Sequence, residues 1–513
     1  MTRSFNIRLL LVLFCVRIAT SYNILVILSH PGKSHVHVFA PMIRELGQRG
    51  HKVTVVTHVP VKDISTVNVK EILIGEPMVE VLSFSDVSPS RVFTAFQGPF
   101  LISSFAHQSC VDGLSHPAFQ SFLRERHSFD VILYEFFNTN CYFGLTNKYK
   151  APFIGLSTCG MMPWHANWFG SPQNPSVHQV LFTGFSQPMT FLDRVENTIE
   201  QIVSTFWYKY EMETSGRKYS KKYIGEEAAN PQDASLFLVN THHTLHGARP
   251  LTPSIIEVGG IHVHNKEVKK LPPLLGEWID EADDGVIYFS FGSMIKGETL
   301  TEEKKKAFTG AFSRLSQRVL WKWENETMMN KPNNVMIQKW MPQYDILCNP
   351  KVKVFIGHGG LLGTIEAINC GVPMIVMPQF GDQVFNARYL ENNGGGLVLP
   401  LHEVTEDNLY KALKILLSPE SQKKAKELSA RFSDRPMSPM DTAIYWIEHV
   451  VRHKGAAHMR SATIDLPFYQ YFLIDVLTFL AVVLLAAGYI ASKTIKFSLR
   501  LMTKTNKTKA KLS

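Results

Sequence analysis

Cysteine is scarce in this chain, with six residues in 513. Cys15 lies in an apolar amino-terminal segment, and the other five are too few and too scattered to predict a disulfide framework. The sequence contains no CxxC pair and no His/Cys cluster with the spacing of metal ligands, so we expect no metal site.

The central part of the chain also lacks an excess of charge. The formal net charge is +9, but residues 1–21 contribute three cations and residues 491–513 contribute seven, with no acid in either segment. Residues 22–490 therefore carry a net charge of −1. A nearly neutral body has no electrostatic footprint for nucleic acid, so we expect no nucleic-acid partner.

Long apolar runs are confined to the two ends of the chain. Residues 1–21 combine Arg3 and Arg8 with an apolar core and small residues near position 21, which is the pattern of a cleaved signal peptide. Residues 472–490 would span about 28 Å as a helix, close to the thickness of a bilayer core. The cations after residue 490 then predict a single-pass type I membrane protein with a cytosolic tail, residues 491–513.

Two short motifs refine this topology. Lys509 and Lys511 resemble the dilysine signals that return membrane proteins to the endoplasmic reticulum, which would place the large body in its lumen. Asn325 begins the one sequon of the predicted lumenal part and is a predicted glycosylation site, whereas the sequon at Asn506 lies in the predicted cytosolic tail.

The body is too long for one core and divides into two α/β regions. In residues 22–246, predicted strands at 23–29, 52–57, 130–134 and 153–156 and a helix at 36–49 indicate a parallel sheet covered on both faces. The aromatic-rich residues 93–105 and 161–191 predict loops and short helices. They either wall an apolar pocket or pack beneath long loops.

A Pro/Gly-rich stretch, residues 247–273, is the predicted linker to a second α/β region, residues 274–440. Its strands are predicted at 285–290, 319–323, 352–357, 374–377 and 396–399. Residues 441–471 are predicted to form a crossover helix and a membrane-proximal segment. The pattern predicts two doubly wound sheets that face one cleft.

The most informative segment is residues 340–383. It places an indole and an amide before a buried strand, a His-Gly-Gly at the end of that strand, a carboxylate in the next helix, and a final Asp-Gln pair. An indole offers a flat face to a base, N–H groups at a helix start attract phosphate oxygens, and carboxylates accept hydrogen bonds from hydroxyls. Together these groups indicate nucleotide-sugar binding.

This spacing resembles the signature of the UDP-glycosyltransferases, which move a sugar from UDP to small lipophilic acceptors. The resemblance implies a GT-B fold, an inverting single displacement, and no cofactor or metal beyond the UDP-sugar co-substrate. It implies these donor contacts: Ser293, His358, Gly360 and Gly363 around the diphosphate, Trp340 and Gln343 at uracil, Glu366 at the ribose, and Asp382 and Gln383 at the transferred sugar. Leu362 departs from the family, which commonly has Asn there. Insect members often carry a similar Leu-Leu pair, which suggests an insect-like enzyme that uses UDP-glucose.

The same resemblance selects a catalytic pair in the first region. Transfer to a hydroxyl needs a base with a pKa near neutrality, and His35 follows the first strand at the sheet edge where such sites lie. Glu135, at the end of another strand, would orient its ring, although many relatives have Asp there. His37 is expected to be structural.

We therefore predict hexosyl transfer, with glucose as the expected sugar, to a phenol, terpenoid, steroid or xenobiotic, as in detoxification. The enzyme alternative is a sugar-nucleotide epimerase of the same fold. The alternative from another class is a lipophile carrier without catalysis. The sequence leaves open the acceptor, the choice between glucose and glucuronate, and the oligomeric state, a homo-oligomer included.

Overall fold

The computed structural model of the protein describes residues 21–65, 67–78, 82–84 and 91–509. The first α/β region contains a parallel sheet of seven strands in the order β3-β2-β1-β4-β5-β6-β7. The strands are β1 (Asn23–Leu28), β2 (Lys52–Thr57), β3 (Val69–Leu73), β4 (Val131–Glu135), β5 (Phe153–Ser157), β6 (Leu236–Val239) and β7 (Ile255–Glu257). The helices are α1 (Lys33–Gln48), α2 (Arg91–Ser115), α3 (Pro117–Arg124), α4 (Gly144–Tyr149), α5 (His165–Trp168), α6 (Phe191–Trp207), α7 (Thr214–Tyr223) and α8 (His243–His246), with a π-helical segment, Tyr208–Glu213, after α6.

The second region contains a parallel sheet of six strands in the order β10-β9-β8-β11-β12-β13. The strands are β8 (Val286–Ser290), β9 (Arg318–Lys322), β10 (Val335–Gln338), β11 (Val352–Gly357), β12 (Met374–Val376) and β13 (Gly396–Val398). The helices are α9 (Pro273–Asp280), α10 (Glu302–Ser313), α11 (Gln343–Leu347), α12 (Leu361–Asn369), α13 (Gln383–Asn392), α14 (Glu406–Leu416), α15 (Pro419–Ser433) and α16 (Pro439–Arg452).

The predicted strands are confirmed, because runs of Val, Ile and Leu buried on both faces are what a helix-covered parallel sheet requires. The sequence missed four strands, β3, β6, β7 and β10. β3 lies at the edge of its sheet and carries Lys70 and Glu71, so its apolar pattern is weak. β7 lies inside the predicted linker, residues 247–273, and pairs with β6.

Helix α16 returns the chain to the first sheet. Its buried Ala443, Ile444 and Ile447 belong to the same core as residues of β1, β4 and β6, and Asp441 accepts a 2.6 Å hydrogen bond from Arg49 at the end of α1. Both sheets therefore belong to one compact unit that ends at Arg460.

Two sequence expectations are wrong. Residues 93–105 belong to the long helix α2, not to loops and short helices. Disulfides do form: Cys110 bonds Cys141, with Cα atoms 6.2 Å apart, and Cys348 bonds Cys370, with Cα atoms 4.8 Å apart. Folding brings these pairs together across 31 and 22 residues, which a count of cysteines does not reveal. Cys159 is buried and unpaired.

The second unit, from Ser461 on, contains α17 (Phe468–Tyr471) and the long helix α18 (Ile474–Lys509). Its stretch Ile474–Lys504 is long and apolar enough to cross a membrane. The helix begins two residues later than the predicted span and continues through most of the basic tail. The predicted signal peptide lies, apart from its last residue, outside the described residues, as does Lys511.

Candidate active site

His35 and Glu135 are brought together at the carboxyl edge of the first sheet. Gly32 caps α1, so His35 lies in its first turn, whereas we predicted a loop with a helix beginning at residue 36. Glu135 is the last residue of β4, the strand beside β1. One Glu135 oxygen contacts His35 Nδ1, and the other accepts a 3.0 Å hydrogen bond from the backbone N–H of His30. The side chain of Glu135 is fully buried, while that of His35 is 14% exposed.

Three further residues complete this arrangement, and sequence reasoning missed them. The hydroxyl of Thr158, just past β5, lies 3.2 Å from His35 Nδ1. His30 stacks on His35 with ring centroids 4.0 Å apart, and the edge of Phe137 packs against both rings. Burial, followed by the nearby His35, holds the pKa of His30 well below its usual value, so His30 is a neutral neighbour. His30, Phe137 and Thr158 follow the ends of β1, β4 and β5, and this location at the carboxyl edge of a parallel sheet is the signal that could have identified them.

The geometry assigns the tautomer of His35. Two oxygen acceptors, from Glu135 and Thr158, surround Nδ1, so this nitrogen carries the proton. The lone pair is then on Nε2, on the opposite side of a ring that lines the cleft. A histidine held in this way can accept a proton from a bound hydroxyl, and Glu135 would stabilise the resulting imidazolium. His37 is exposed at the cleft and is not part of this pair.

In the second region, His358 follows β11 and lies against glycines. A Cβ on Gly292 would be 2.6 Å from the imidazole, and a Cβ on Gly360 would be 2.5 Å from it, so neither position can hold a larger residue without displacing the ring. Burial, together with Lys322, lowers the pKa of His358 to about 4, so the ring is neutral near pH 7. Its buried Nδ1 has no hydrogen-bond partner in the part of the chain that the structure describes. A ligand oxygen at the start of α12 would supply one.

Gln343 and Glu366 form one network. Gln343 Nε2 donates a 2.7 Å hydrogen bond to one oxygen of Glu366, and Lys266 lies 3.2 Å from the other. Lys266 also stacks over the Tyr344 ring at 4.2 Å. A Cβ on Gly363 would be 3.1 Å from the Gln343 amide, which explains the small residue one turn before Glu366. Lys266 was not predicted, because it lies about 100 residues away in the linker.

Asp382 and Gln383 stand at the start of α13. The amide oxygen of Gln383 accepts hydrogen bonds from the backbone N–H groups of Gln379 and Phe380, at 2.9 and 3.3 Å, which shapes the preceding loop. Asp382 accepts a 3.0 Å hydrogen bond from Asn386, whose amide also donates to the Gly359 carbonyl. Burial raises the pKa of Asp382, and His35 opposes that shift from across the cleft.

The remaining predicted residues also line the cleft, which has a volume of about 1820 Å³. Trp340 is 69% exposed, so its ring face is accessible. Ser293 is exposed and follows the Gly292 turn, whose φ is +79°. Of the predicted catalytic and donor-binding residues, Glu135 is the one that does not line the cleft. Six apolar residues of the first region line the same cleft and are called the apolar wall below: Ile102, Phe105, Phe137, Met162, Leu181 and Phe182.

Leu362 has a structural role of its own. Its side chain packs against the core of the first region, and its carbonyl oxygen lies 3.4 Å from His262 Nε2. A polar side chain at this position would lose that apolar contact between the two regions.

Comparison with known proteins agrees with this geometry. The family model described as "UDP-glucoronosyl and UDP-glucosyl transferase" matches residues 24–509. UDP-glycosyltransferase UGT5 of Dactylopius coccus is 38% identical over 94% of both chains, and UDP-glucuronosyltransferase 1A3 of Rattus norvegicus is 31% identical over 91% of this chain and 90% of its own. The chain belongs to the UDP-glucuronosyl and UDP-glucosyl transferase family. It is therefore a UDP-glycosyltransferase, and the family predicted from residues 340–383 is confirmed.

Solved structures support the fold alone. The glycotransferase of kitacinnamycin matches with a TM-score of 0.57 at 20% identity, covering 84% of this chain and 98% of its own. The calicheamicin glycosyltransferase CalG4 matches with a TM-score of 0.51 at 17% identity, covering 84% of this chain and 99% of its own. The predicted GT-B fold is confirmed.

Proposed function

We propose that this UDP-glycosyltransferase transfers glucose from UDP-glucose to a hydroxyl of a small lipophilic acceptor, with inversion at the anomeric carbon. The observation that carries the proposal is the His35–Glu135 pair, in which His35 lines the same cleft as Asp382. His35 Nε2 takes the acceptor proton while the acceptor oxygen forms its bond to the anomeric carbon. The bond to UDP breaks, and UDP leaves with the electron pair.

The donor is assigned to the second region. Trp340 stacks on uracil, Gln343 binds its edge, Glu366 accepts the ribose hydroxyls, and His358 with the start of α12 holds the diphosphate. Glu366 has to exchange its contacts with Gln343 and Lys266 for the ribose when the donor binds. Asp382 and Gln383 bind sugar hydroxyls.

A neutral hexose fits the surroundings of Asp382. The one ionisable side chain among the described residues that affects the pKa of Asp382 is His35, and no lysine or arginine does so. A glucuronate carboxylate would call for a lysine or arginine at this position. This supports glucose as the transferred sugar.

The acceptor is assigned to the apolar wall. Its aromatic and aliphatic side chains favour phenols, terpenoids, steroids and similar xenobiotics, consistent with conjugation in detoxification. We further propose that α18 anchors the enzyme in the endoplasmic reticulum membrane with both sheets in the lumen. Asn325 is exposed and accessible to glycosylation there.

The test is acceptor-dependent UDP release by membranes that contain the full chain, with UDP-glucose, UDP-glucuronate, UDP-galactose and UDP-N-acetylglucosamine crossed against phenols and terpenoid alcohols. We expect release with UDP-glucose, and a loss of about 10²- to 10⁴-fold in kcat for His35→Ala with UDP binding retained. His402→Ala, at an exposed histidine outside the cleft, is the matched control.

The other outcomes identify the alternatives. Release of UDP without an acceptor would indicate hydrolysis, and conversion of the UDP-sugar into another UDP-sugar without an acceptor would indicate epimerisation. UDP binding without turnover by any donor and acceptor would favour a carrier. Release with UDP-glucuronate in place of UDP-glucose would refute the sugar assignment alone.

A further inference from the structure

His30 stands beside the base, and the proposed mechanism gives it no role. It follows β1 by two residues and lines the cleft. Its imidazole stacks on that of His35, with ring centroids 4.0 Å apart and ring planes inclined by 20°. A second imidazole so close to the base serves either packing or the binding of substrate, and its hydrogen bonds distinguish the two roles.

Contacts on several sides hold His30 in one orientation. Its backbone N–H donates a 3.0 Å hydrogen bond to Glu135, and its Nδ1 accepts a 3.0 Å hydrogen bond from the Gly32 N–H. The edge of Phe137 packs against the ring, with centroids 5.0 Å apart. A Cβ at position 32 would lie 2.8 Å from His30 Nδ1 and 3.2 Å from His35 Cδ2, so only glycine leaves room for both rings. The imidazole is therefore fixed beside the base.

The same contacts locate the proton of His30. Because Nδ1 accepts from a backbone N–H, the hydrogen of the neutral ring is on Nε2. Burial, followed by the nearby His35, keeps the pKa of His30 well below its usual value, so the ring stays neutral. Within the part of the chain that the structure describes, no side chain or backbone group forms a hydrogen bond with Nε2. His30 is 8% exposed, and it thus offers an uncharged, unpaired N–H donor on a ring that lines the cleft.

We propose that His30 Nε2 donates a hydrogen bond to a second oxygen of the acceptor, on the carbon atom next to the one that carries the reacting hydroxyl. The proposal rests on the proposed function, in which His35 Nε2 takes the proton of that hydroxyl. It adds a substrate class: acceptors with oxygens on two adjacent carbon atoms, such as catechols.

The chemistry of transfer argues against the reacting oxygen as the partner of His30. That oxygen has to give an electron pair to the anomeric carbon, and a hydrogen bond donated to it would withdraw electron density from this pair. A neighbouring oxygen takes no part in the new bond. Two stacked rings with centroids 4.0 Å apart can each bind one oxygen of such a pair, His35 as acceptor and His30 as donor.

The surroundings of His30 favour discrimination between acceptors. A cation at this position would resist protonation of His35 during the reaction, whereas a neutral imidazole does not. Phe137 packs against both imidazoles and also lines the cleft, so it offers an apolar face to the carbon skeleton of the acceptor. In such a site an acceptor without the second oxygen would leave the His30 N–H unpaired, and that is how a buried donor selects its substrate.

The test compares two isomeric acceptors, catechol and resorcinol, which differ only in whether their two hydroxyls are on adjacent carbon atoms. The ratio of their kcat/KM values is measured in membranes that contain the full chain, with the donor that the screen above identifies. His30→Phe keeps a ring to stack on His35 and removes the N–H, whereas His30→Gln keeps an amide N–H. Glu135→Asp is the matched control, because it alters the base and not the His30 imidazole. The Kd for UDP shows that each variant is folded.

We expect the wild-type chain to prefer catechol, and the catechol-to-resorcinol ratio to fall about 5- to 150-fold in His30→Phe. The ratio should recover at least in part in His30→Gln and stay at the wild-type value in Glu135→Asp, although that variant is slower with both acceptors. Using a ratio removes any general loss of base strength.

Two results would overturn the proposal. A wild-type chain without a preference for catechol would do so before any variant is made. An unchanged ratio in His30→Phe would show that His30 acts only by packing on His35 or, if the KM for the UDP-sugar rises, that it contacts the donor. Turnover of either acceptor by the wild-type chain tests the proposed function separately, so failure of the ratio leaves that function standing.

Discussion

The two regions of this enzyme build their parts of the cleft in opposite ways. In the first region, three strand ends converge on His35, and its partner Glu135 is sealed from solvent. In the second region, most of the predicted donor-binding groups lie on one continuous segment, residues 340–383. Glycines pack closely against this segment's side chains, and short hydrogen-bond networks hold Glu366 and Asp382. The proposed function gives this difference a reason, because a base has to be held in one orientation, whereas a UDP-sugar is bound through many weak contacts.

This difference predicts a division of labour. A buried, charge-assisted pair orients a base, so damage to it should lower kcat and leave donor binding intact. Contacts along the second region bind the donor both before and during the reaction, so their loss should raise the Kd for the donor. The first two predictions below test this division, and the third tests the buried His358 of the second region.

The largest effect is expected from Glu135→Gln. The amide has almost the same shape but carries no charge to stabilise the His35 imidazolium, so kcat should fall by about 10²- to 10⁴-fold. The Kd for UDP, measured by titration calorimetry, should stay unchanged. Glu135→Asp, which keeps the charge with a shorter reach, should recover part of the activity. A large rise in the Kd for UDP would show that Glu135 of the first region also affects donor binding, which would contradict the division of labour.

An intermediate effect is expected from Trp340→Leu. Loss of a stacking face costs about 1–3 kcal/mol per base, so the Kd for UDP should rise by about 5- to 150-fold, with a smaller change in kcat. Because Trp340 is 69% exposed, the free energy of unfolding should not change. Tyr445→Leu, at another exposed aromatic residue, is the control. Equal UDP affinity in both variants would exclude stacking on Trp340.

The third effect concerns the pH dependence of stability. The pKa of His358 is about 4 in the folded enzyme, below the usual 6.5, so the unfolded chain binds its proton first as pH falls. Stability is therefore lost between about pH 6.5 and pH 4, and His358 adds up to about 1.4 kcal/mol per pH unit to this slope. His358→Gln should show a shallower fall of the free energy of unfolding between pH 7 and pH 5. Parallel curves for the two proteins would contradict a buried neutral His358.

The disulfides and the neighbours of His35 show where prediction from sequence ends. Cys348 and Cys370 follow the two helices that carry Gln343 and Glu366, yet the few, scattered cysteines argued against a disulfide framework. Thr158 and Lys266 were not predicted, since each is distant in sequence from the residue that it contacts. His30 is only five residues from His35, and its position after β1 is the signal that was missed.

The sequence by itself determined the family, the two parallel sheets and the order of the predicted donor-binding residues in the second region. Apolar strands that alternate with helices, and a contiguous motif, are local properties of the chain. Tertiary structure decided which side chains meet: the tautomer of His35, the network around Glu366 and the disulfides. These depend on distances between residues far apart in sequence, and packing alone sets such distances.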